Sequence, residues 1–372
     1  MRNDTMGIIL TGDEKIAPLT DIRANSALPI AGRYRIIDFV LSNMANSGIL
    51  NVGIATESNY SSLMDHTKSG KPWDLDRKDQ GLQLLPPNLE NEKYGVIKGN
   101  IDLLAGIRAY IHKSQQTYVI LSLGNMIYNI DFEDVIAAHI EKQADITAVY
   151  KNINGMEESD ISRFTLFDID KDGMITDIEV QPYYPKTTNA SLEIFVMEKA
   201  LLESFIDECS ARGDVDFVKD AIIKKMGGMR MFGYEFCGRF YKIDSMLSYY
   251  QASMDFLNAD IRNELFSRKR PIYTKTKDQS PTKYGDEADC RNSFISDGCV
   301  IEGTVINSII SRGVKVAKGA LVENSIIMQD SIIEEGAEIN HVVFDKEVVM
   351  AKGKKLIGQE SYPIAISKGT KV

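Results

Sequence analysis

The sequence is poor in the residue types that build metal centres and disulfide frameworks. Its 372 residues include only four cysteines and four histidines. No two cysteines form a CxxC pair, and the histidines lack the spacing of metal ligands, which argues against a structural zinc site or a disulfide-stabilised scaffold. We therefore expect reduced thiols, a cytoplasmic location and no metal cofactor held by this chain.

Long apolar runs and an excess of positive charge are also missing. No stretch approaches roughly 18 uninterrupted apolar residues, and the opening residues MRNDTM form no apolar signal segment, so we expect neither export nor a membrane span. The formal net charge of −10 and the pI near 5.1 leave no broad basic surface for a nucleic-acid backbone. We expect no nucleic-acid or membrane partner, and any phosphate site should be small and local.

What is present is enough apolar sequence, 44% of residues, for two ordinary cores. From residue 7 to about residue 270, short apolar runs alternate with helical patterns, which is typical of an α/β fold around a mostly parallel sheet. Buried strands are predicted at 7–10, 52–55 and 118–121, and helices at 36–47 and 132–143.

The last part of the chain follows a different pattern. A polar segment at 271–289 reads as a linker. Beyond it, a Gly-small-x-aliphatic motif begins at Gly298, Gly313, Gly319 and Gly336, and aliphatic residues recur about every six positions. This pattern predicts a hexapeptide parallel β-helix at 290–372; an irregular β-sandwich would not need the repeated glycines. Only His341 lies inside the repeat, so the general base of an acyltransferase is poorly supplied.

Several strings carry a specific resemblance: GRYRIIDF at 32–39, LSN at 41–43, NSGI at 46–49, WDLDR at 73–77, DFVKD at 216–220, GYEF at 233–236, PIYT at 271–274 and GCVIEGTV at 298–305. Together they resemble the ADP-glucose pyrophosphorylase (glucose-1-phosphate adenylyltransferase) family over nearly the whole chain. The resemblance implies a nucleotidyltransferase domain of the glycosyltransferase-A kind at 1–270 and a left-handed parallel β-helix at 290–372. It also implies magnesium-dependent transfer of the adenylyl group of ATP to glucose 1-phosphate, the entry step to glycogen.

The first phosphate loop departs from the family pattern. Where the family has several glycines and an arginine, this chain has Gly12-Asp13-Glu14-Lys15. Two carboxylates repel a triphosphate, and a single glycine limits how closely the backbone can approach it. We expect weak ATP binding; the alternative is that Lys15 replaces the arginine and that Gly12 is sufficient.

Other family positions have lost their charge. Asn25 stands where the family has a phosphate-binding lysine, and Asn125 and Ile243 stand where it has metal-binding carboxylates. An asparagine is a poor ligand for a hard divalent cation. Asp244 follows one residue late, and in a strand-like segment that shift points its side chain to the other face.

The sugar side of the family site is also altered. Gln181 replaces a sugar-phosphate lysine and Glu57 replaces an adenine-side glutamine, so that Gly12, Gly99, Asp102 and Gln181 remain as remnants of a substrate site. Losing one preorganised charge costs roughly 2.7–4 kcal/mol of transition-state stabilisation, so several losses together predict almost no catalysis.

This combination resembles the GlgD-type subunit, which accompanies an active GlgC-type catalytic subunit in some bacteria. The resemblance implies assembly with that subunit as a heterotetramer, with magnesium bound by the active partner. Two alternatives stay open: a weakly active adenylyltransferase that uses Lys15, Asp102 and Asp244, and a sensor of sugar phosphates that acts alone.

Two further motifs need interpretation. Residues 168–179 satisfy an EF-hand calcium loop, but their flanks alternate like strands, so we predict a hairpin that turns at Asp172-Gly173. Arg33 and Arg35 are candidates for an effector phosphate site, because active relatives bind phosphorylated effectors near this segment. The alternative is that they pair with acidic neighbours such as Asp38.

Overall fold

A computed structural model describes residues 4–12, 14–57, 59–86 and 97–372. The strands of its N-terminal domain are β1 (Thr5–Leu10), β2 (Pro29–Ile30), β3 (Tyr34–Arg35), β4 (Asn51–Ala55), β5 (Gly81–Leu85), β6 (Tyr118–Leu123), β7 (Met126–Tyr128), β8 (Ile146–Asn152), β9 (Thr165–Ile169), β10 (Ile175–Val180), β11 (Asn189–Glu198), β12 (Met231–Glu235) and β13 (Phe240–Lys242).

The α-helices are α1 (Ile37–Asn46), α2 (Ser61–Thr67), α3 (Asn100–Gly106), α4 (Arg108–Lys113), α5 (Phe132–Glu141), α6 (Glu158–Ile161), α7 (Lys199–Arg212), α8 (Met246–Asp255) and α9 (Ala259–Leu265). Shorter helical turns cover Asn25–Ala27, Lys71–Trp73, Phe217–Ile222 and Ile223–Gly228. Within the part of the chain that the structure describes, no helix combines the length and the apolar character needed to cross a bilayer.

The central sheet confirms the predicted strands and helices. Strands β5, β4, β1 and β6 are parallel neighbours, and β1 and β4 are buried along their whole length because helices cover both faces. The predicted helices 36–47 and 132–143 are α1 and α5. The sheet is mixed rather than mostly parallel, however, because the ten-residue β11 runs antiparallel to β6, β8 and β9.

The predicted hairpin is confirmed at the EF-hand-like segment. Strands β9 and β10 pair antiparallel. The side chain of Asp170 accepts hydrogen bonds from the N–H groups of Asp172 and Met174, 2.9 and 2.8 Å away. These bonds are those of a tight turn between strands, and the flanking segments have no helices.

The C-terminal domain consists of three parallel sheets of five strands each, consistent with a left-handed parallel β-helix. The strands are β14 (Lys283–Tyr284), β15 (Asp289–Arg291), β16 (Phe294–Ile295), β17 (Val300–Ile301), β18 (Thr304–Ile306), β19 (Ile309–Ile310), β20 (Lys315–Val316), β21 (Leu321–Glu323), β22 (Ile326–Ile327), β23 (Ile332–Ile333), β24 (Glu338–Asn340), β25 (Val342–Phe344), β26 (Val349–Met350), β27 (Lys355–Ile357) and β28 (Ile364–Ile366).

The repeated glycines have a conformational reason. Gly298, Gly313, Gly319 and Gly336 have φ between +68° and +77°, where a side chain would be strained. The segment predicted as a linker at 271–289 contains β14. This strand already belongs to the β-helix, because it pairs in parallel with β17. Both residues of β14 are exposed, and neither carries the aliphatic pattern that marks the later coils.

The two domains share one core. Side chains of α8, α9 and the segment from Ile16 to Phe39 pack against aliphatic residues of the β-helix. The hydroxyl of Tyr250 on α8 donates to the carbonyl of Asn324 at 2.6 Å. An ion pair between Arg23 and Asp345, 2.9 Å apart and almost fully buried, also joins the domains.

Candidate functional site

A cleft opens at the carboxyl ends of β1 and β6, the edge where α/β sheets hold their ligands. It encloses about 260 Å³. Its polar lining comes from four segments of the chain: Thr11, Gly12, Glu14, Glu57, Lys98, Gly99, Asn100 and Asp216. The cleft therefore contains Gly12 and Gly99, two of the residues that the sequence predicts as remnants of a substrate site.

Three of the altered positions meet beneath this cleft. The side-chain amide of Asn25 donates to the carbonyl of Ile243 at 2.8 Å. The backbone N–H of Ile243 donates to the carbonyl of Asn125 at 3.0 Å. A β-carbon placed on Gly12 would lie 3.3 Å from the Asn125 amide nitrogen, so all four residues belong to one constellation.

The floor of this constellation is polar but uncharged. Asn25 and Asn125 are almost completely buried. Both polar atoms of the Asn125 side chain, the Asn25 amide oxygen and the hydroxyls of Thr11 and Ser26 have no hydrogen-bond partner within the described ranges. Buried polar groups without partners cost free energy, so this floor is not explained by packing alone.

Carboxylates outnumber cations around the cleft, whose described lining includes the cation Lys98. Glu14 and Asp216 line it, and the half-buried Glu193 lies close enough to feel both charges. Burial raises the pKa of Glu193, and Asp216 and Glu14 raise it further, whereas Lys242 opposes the change. Asp13, the other carboxylate that we predicted in this loop, lies outside the described residues.

The other candidates do not line this cleft, although Ile243 lies beneath it and Asp102 lies beside its lining residue Lys98. Lys15 is exposed, and Gln181 is exposed with its backbone N–H bound to the carbonyl of Phe164 at 3.1 Å. Asp102 accepts the backbone N–H of Lys98 at 2.8 Å, at the start of α3. The carboxylate of Asp244 pairs with Arg163, while the neighbouring Ile243 is buried in the core.

A second polar site lies where the two domains meet. Six cationic side chains line a narrow cavity: Arg33, Arg35, Lys275, Lys277, Arg312 and Lys346. Asp65 is the one carboxylate among the described residues of its lining, and it pairs with Lys275 at 3.0 Å. Among the residues that the structure describes, the other five cations have no ion pair.

Arg35 does not pair with Asp38 through its side chain. Its guanidinium donates to the carbonyl and hydroxyl of Ser62 at 2.7 and 2.8 Å, while Asp38 accepts the Arg35 backbone N–H and contacts His66 at 2.5 Å. Arg312 is 5% exposed, and its Nε has no hydrogen-bond partner in the described ranges. Two guanidinium groups are thus held at the cavity without a balancing carboxylate.

The titration of these groups reflects their crowding. Burial lowers the pKa of Arg35 to about 10, although Asp38 opposes this shift. Burial also lowers the pKa of Arg312, and the charge of Arg33 lowers it further. Burial is the largest cause of both shifts, and neighbouring cations add to them.

Comparisons with known proteins agree with both domains. Residues 6–258 match the nucleotidyl transferase family, and residues 279–362 match the GlmU-like C-terminal hexapeptide family. Glucose-1-phosphate adenylyltransferase of Clostridium perfringens strain SM101 is 32% identical over 99% of this chain and 95% of its own length. The chain belongs to the glucose-1-phosphate adenylyltransferase family. Glycogen biosynthesis protein GlgD of Bacillus subtilis strain 168 is 35% identical over 99% of this chain and 96% of its own length.

The magnesium of this adenylyltransferase family does not fit the residues present. Asn125 offers a neutral amide and Ile243 offers no ligand atom, whereas Mg²⁺ prefers carboxylate oxygens. No group of three His, Cys, Asp or Glu side chains with the geometry of a metal site occurs among the described residues. We therefore derive no chemical step through a metal at this cleft.

Sequence reasoning missed two parts of the site. The sequence did not single out Glu193. Its position near Glu14 and Asp216 depends on a bulge in β11, where the residue has a φ of +53°. Lys346 and Arg312 were missed because they lie in the repeat, where a lone basic residue reads as an exposed side chain. Only the contact between the domains brings them to Arg33 and Arg35.

Proposed function

We propose that this chain is a regulatory, catalytically degraded subunit of ADP-glucose pyrophosphorylase. It acts in the cytoplasm by assembling with an active GlgC-type subunit, as a hetero-oligomer, and by modulating that subunit in glycogen synthesis. The observation that carries the proposal is the constellation of Asn25, Asn125 and Ile243. These residues meet as catalytic groups would, yet they supply neither a cation for phosphate nor a carboxylate for Mg²⁺.

The electrostatics of the cleft support the same conclusion. Adenylyl transfer between anions requires positioned positive charge, because the transition state carries the charge of the reacting phosphates. Here Glu14, Glu193 and Asp216 surround the place where such charge is needed. We expect this lining to disfavour a full-rate adenylyltransferase, because Lys98 is the cation that the described lining supplies against these carboxylates.

The cavity between the domains, which we call the basic cavity, supports a regulatory role. Its cations are Arg33, Arg35, Lys275, Lys277, Arg312 and Lys346. Five cations without ion pairs among the described residues repel one another, and a bound anion relieves that repulsion. We propose that Arg33 and Arg35, together with Arg312 and Lys346 from the β-helix, bind a phosphorylated effector. Since both domains contribute cations to this site, binding of the effector can depend on the relative arrangement of the two domains.

The test is to purify the chain alone and together with its catalytic partner, and to measure ADP-glucose formation and the sedimentation of the mixture. We expect little turnover by the chain alone, a larger complex in the mixture, and partner kinetics that change when this chain is added.

A matched mixture sharpens the test. The partner is inactivated by replacing its metal-binding carboxylates, and it is then combined with this chain. We expect no turnover, because neither subunit then has a complete site. Robust turnover by this mixture or by the isolated chain contradicts the proposal, as does a partner whose assembly and kinetics are unchanged.

A further inference from the structure

Lys346 lines the cavity at a half-buried position, whereas an ordinary surface lysine is exposed to solvent. It is separated from the end of β25 by Asp345 and is half-buried where the β-helix meets the N-terminal domain. Its neighbour Asp345 is already engaged by Arg23 at 2.9 Å. Lys346 itself has no ion pair within the ranges that the structure describes.

The charges around Lys346 come from every element at the cavity. The N-terminal segment contributes cations, α2 contributes an acid and an imidazole, the linker contributes lysines, and the β-helix contributes one cation and one acid. In that order they are Arg23, Arg33, Arg35, Asp65, His66, Lys275, Lys277, Arg312 and Asp345. Both carboxylates are paired with other cations, so the balance at Lys346 is positive.

We propose that anion binding in the basic cavity takes up a proton at Lys346, so that the affinity for the anion is set by pH. This inference rests on the anion-binding role proposed above and adds its regulation. The proton travels from solvent to the Lys346 amine, and the ammonium that forms then faces the bound anion.

The direction of the effect follows from the environment of the amine. Burial lowers the pKa of Lys346 to about 8, with Arg35, Arg23 and Lys277 adding to the shift and Asp345 opposing it. At pH 7 the free protein therefore already carries this proton, and binding takes up little. At pH 9 most molecules have lost it and must regain it to bind, so the affinity for the anion falls as pH rises through 8.

The experiment is titration calorimetry of the full chain with sulfate at constant ionic strength, at pH 7, 8 and 9. Sulfate stays a dianion across this range, whereas phosphate would itself titrate. We expect affinity to fall about tenfold between pH 7 and pH 9, and about half a proton to be taken up at pH 8. Two buffers with different ionisation enthalpies report the proton count directly.

Two lysine-to-arginine variants separate the lysines of the cavity. Lys346→Arg keeps its charge at every pH tested, because a guanidinium is not deprotonated there. Its affinity for sulfate should fall much less between pH 7 and pH 9 than that of the unmodified protein, and the proton uptake that remains should come from Lys277, whose pKa burial also lowers. Lys275→Arg is the matched control: its partner Asp65 still holds the charge, so the pH dependence of the unmodified protein should remain.

The outcomes distinguish the two proposals. Sulfate binding with unchanged affinity from pH 7 to pH 9 and no proton uptake overturns this inference and leaves the effector role standing. A pH dependence that persists undiminished in Lys346→Arg also overturns it. If sulfate does not bind at any pH, the effector role itself fails, and the inference fails with it.

Discussion

The cleft and the cavity are both polar sites of one chain, but their charges are opposite. The cleft is built on the sheet edge that binds substrate in its family, and it holds Glu14, Glu193 and Asp216 around uncharged asparagines. The cavity lies between the domains and is lined by six cations and one carboxylate. Positive charge is thus sparse where catalysis would need it and concentrated where an effector would bind.

This difference shows that the packing beneath the cleft does not depend on charged side chains. The hydrogen bonds that connect Asn25, Ile243 and Asn125 run through backbone groups and one amide, so they need no charge. The cavity cations that lack ion pairs among the described residues cost stability when no anion is bound. Because these cations cost stability, their presence favours a role in binding an anionic ligand.

The largest expected effect concerns the ion pair that holds the two domains around the cavity. Replacing Asp345 by Ala leaves Arg23 buried without its partner, which should lower the free energy of unfolding by about 3–5 kcal/mol. Urea denaturation measures the change. Glu335→Ala, which breaks the exposed Lys352–Glu335 pair, is the control and should have no measurable effect.

If Asp345→Ala proves as mild as the control, the pair does not hold the domains together. A double replacement, Arg23→Met with Asp345→Leu, adds a second check. It removes both charges and should recover most of the lost stability, because no buried charge is left unpaired.

The next effect compares the two sites directly through a bound anion. Sulfate at one hundred times its dissociation constant should stabilise the chain by about 2.7 kcal/mol, seen as a higher melting temperature. Arg312→Met should abolish this gain, whereas Lys98→Met, which removes a cation from the cleft, should keep it. If Lys98→Met instead loses the stabilisation by sulfate, then sulfate binds in the cleft and not in the cavity.

A smaller effect tests whether the cleft can still hold a metal. Asn125→Asp places a carboxylate in a buried floor beside Gly12 and Glu14, and we expect a loss of about 2 kcal/mol of stability. We expect magnesium not to restore it, because the second ligand position of the family site is held by Ile243; recovery would show that Glu14, which also lies beside Gly12, supplies a ligand instead. Asn154→Asp at the surface is the control, and recovery of stability in the first variant on adding Mg²⁺ would contradict the reading of the cleft.

Local patterns foretold the architecture well, because strands, helices and the hexapeptide repeat each have a short-range signal. The strands 7–10, 52–55 and 118–121 follow from apolar runs, and the glycines of the β-helix follow from a conformation that only glycine adopts easily. The antiparallel course of β11 was not foreseen, since a buried strand looks alike in either direction. The cavity needed the contact between domains, which no local pattern encodes.

The smallest effect concerns Glu193, whose charge and backbone are both unfavourable. The residue lies at the bulge of β11 with φ +53°, a left-handed conformation that costs about 1–2 kcal/mol for a residue with a side chain. Glu193→Gly relieves both strain and charge, although glycine's greater freedom in the unfolded chain offsets part of the gain, so we expect about 1 kcal/mol of stabilisation. Glu193→Gln relieves the charge alone and should gain less.

The dependence of stability on pH separates the contribution of the Glu193 charge from that of the Glu193 backbone strain. Because burial raises the pKa of the Glu193 carboxyl, the folded chain holds this proton more tightly than the unfolded chain. The unmodified protein should therefore lose stability as pH rises from the ordinary carboxyl range through the raised value, relative to Glu193→Gln. In acid that difference should vanish while the advantage of Glu193→Gly remains. A Gln variant whose advantage is the same at every pH would show that neither burial nor the charges of Asp216 and Glu14 raise the pKa of this carboxyl, and the acidic character of the cleft would then rest on its lining residues alone.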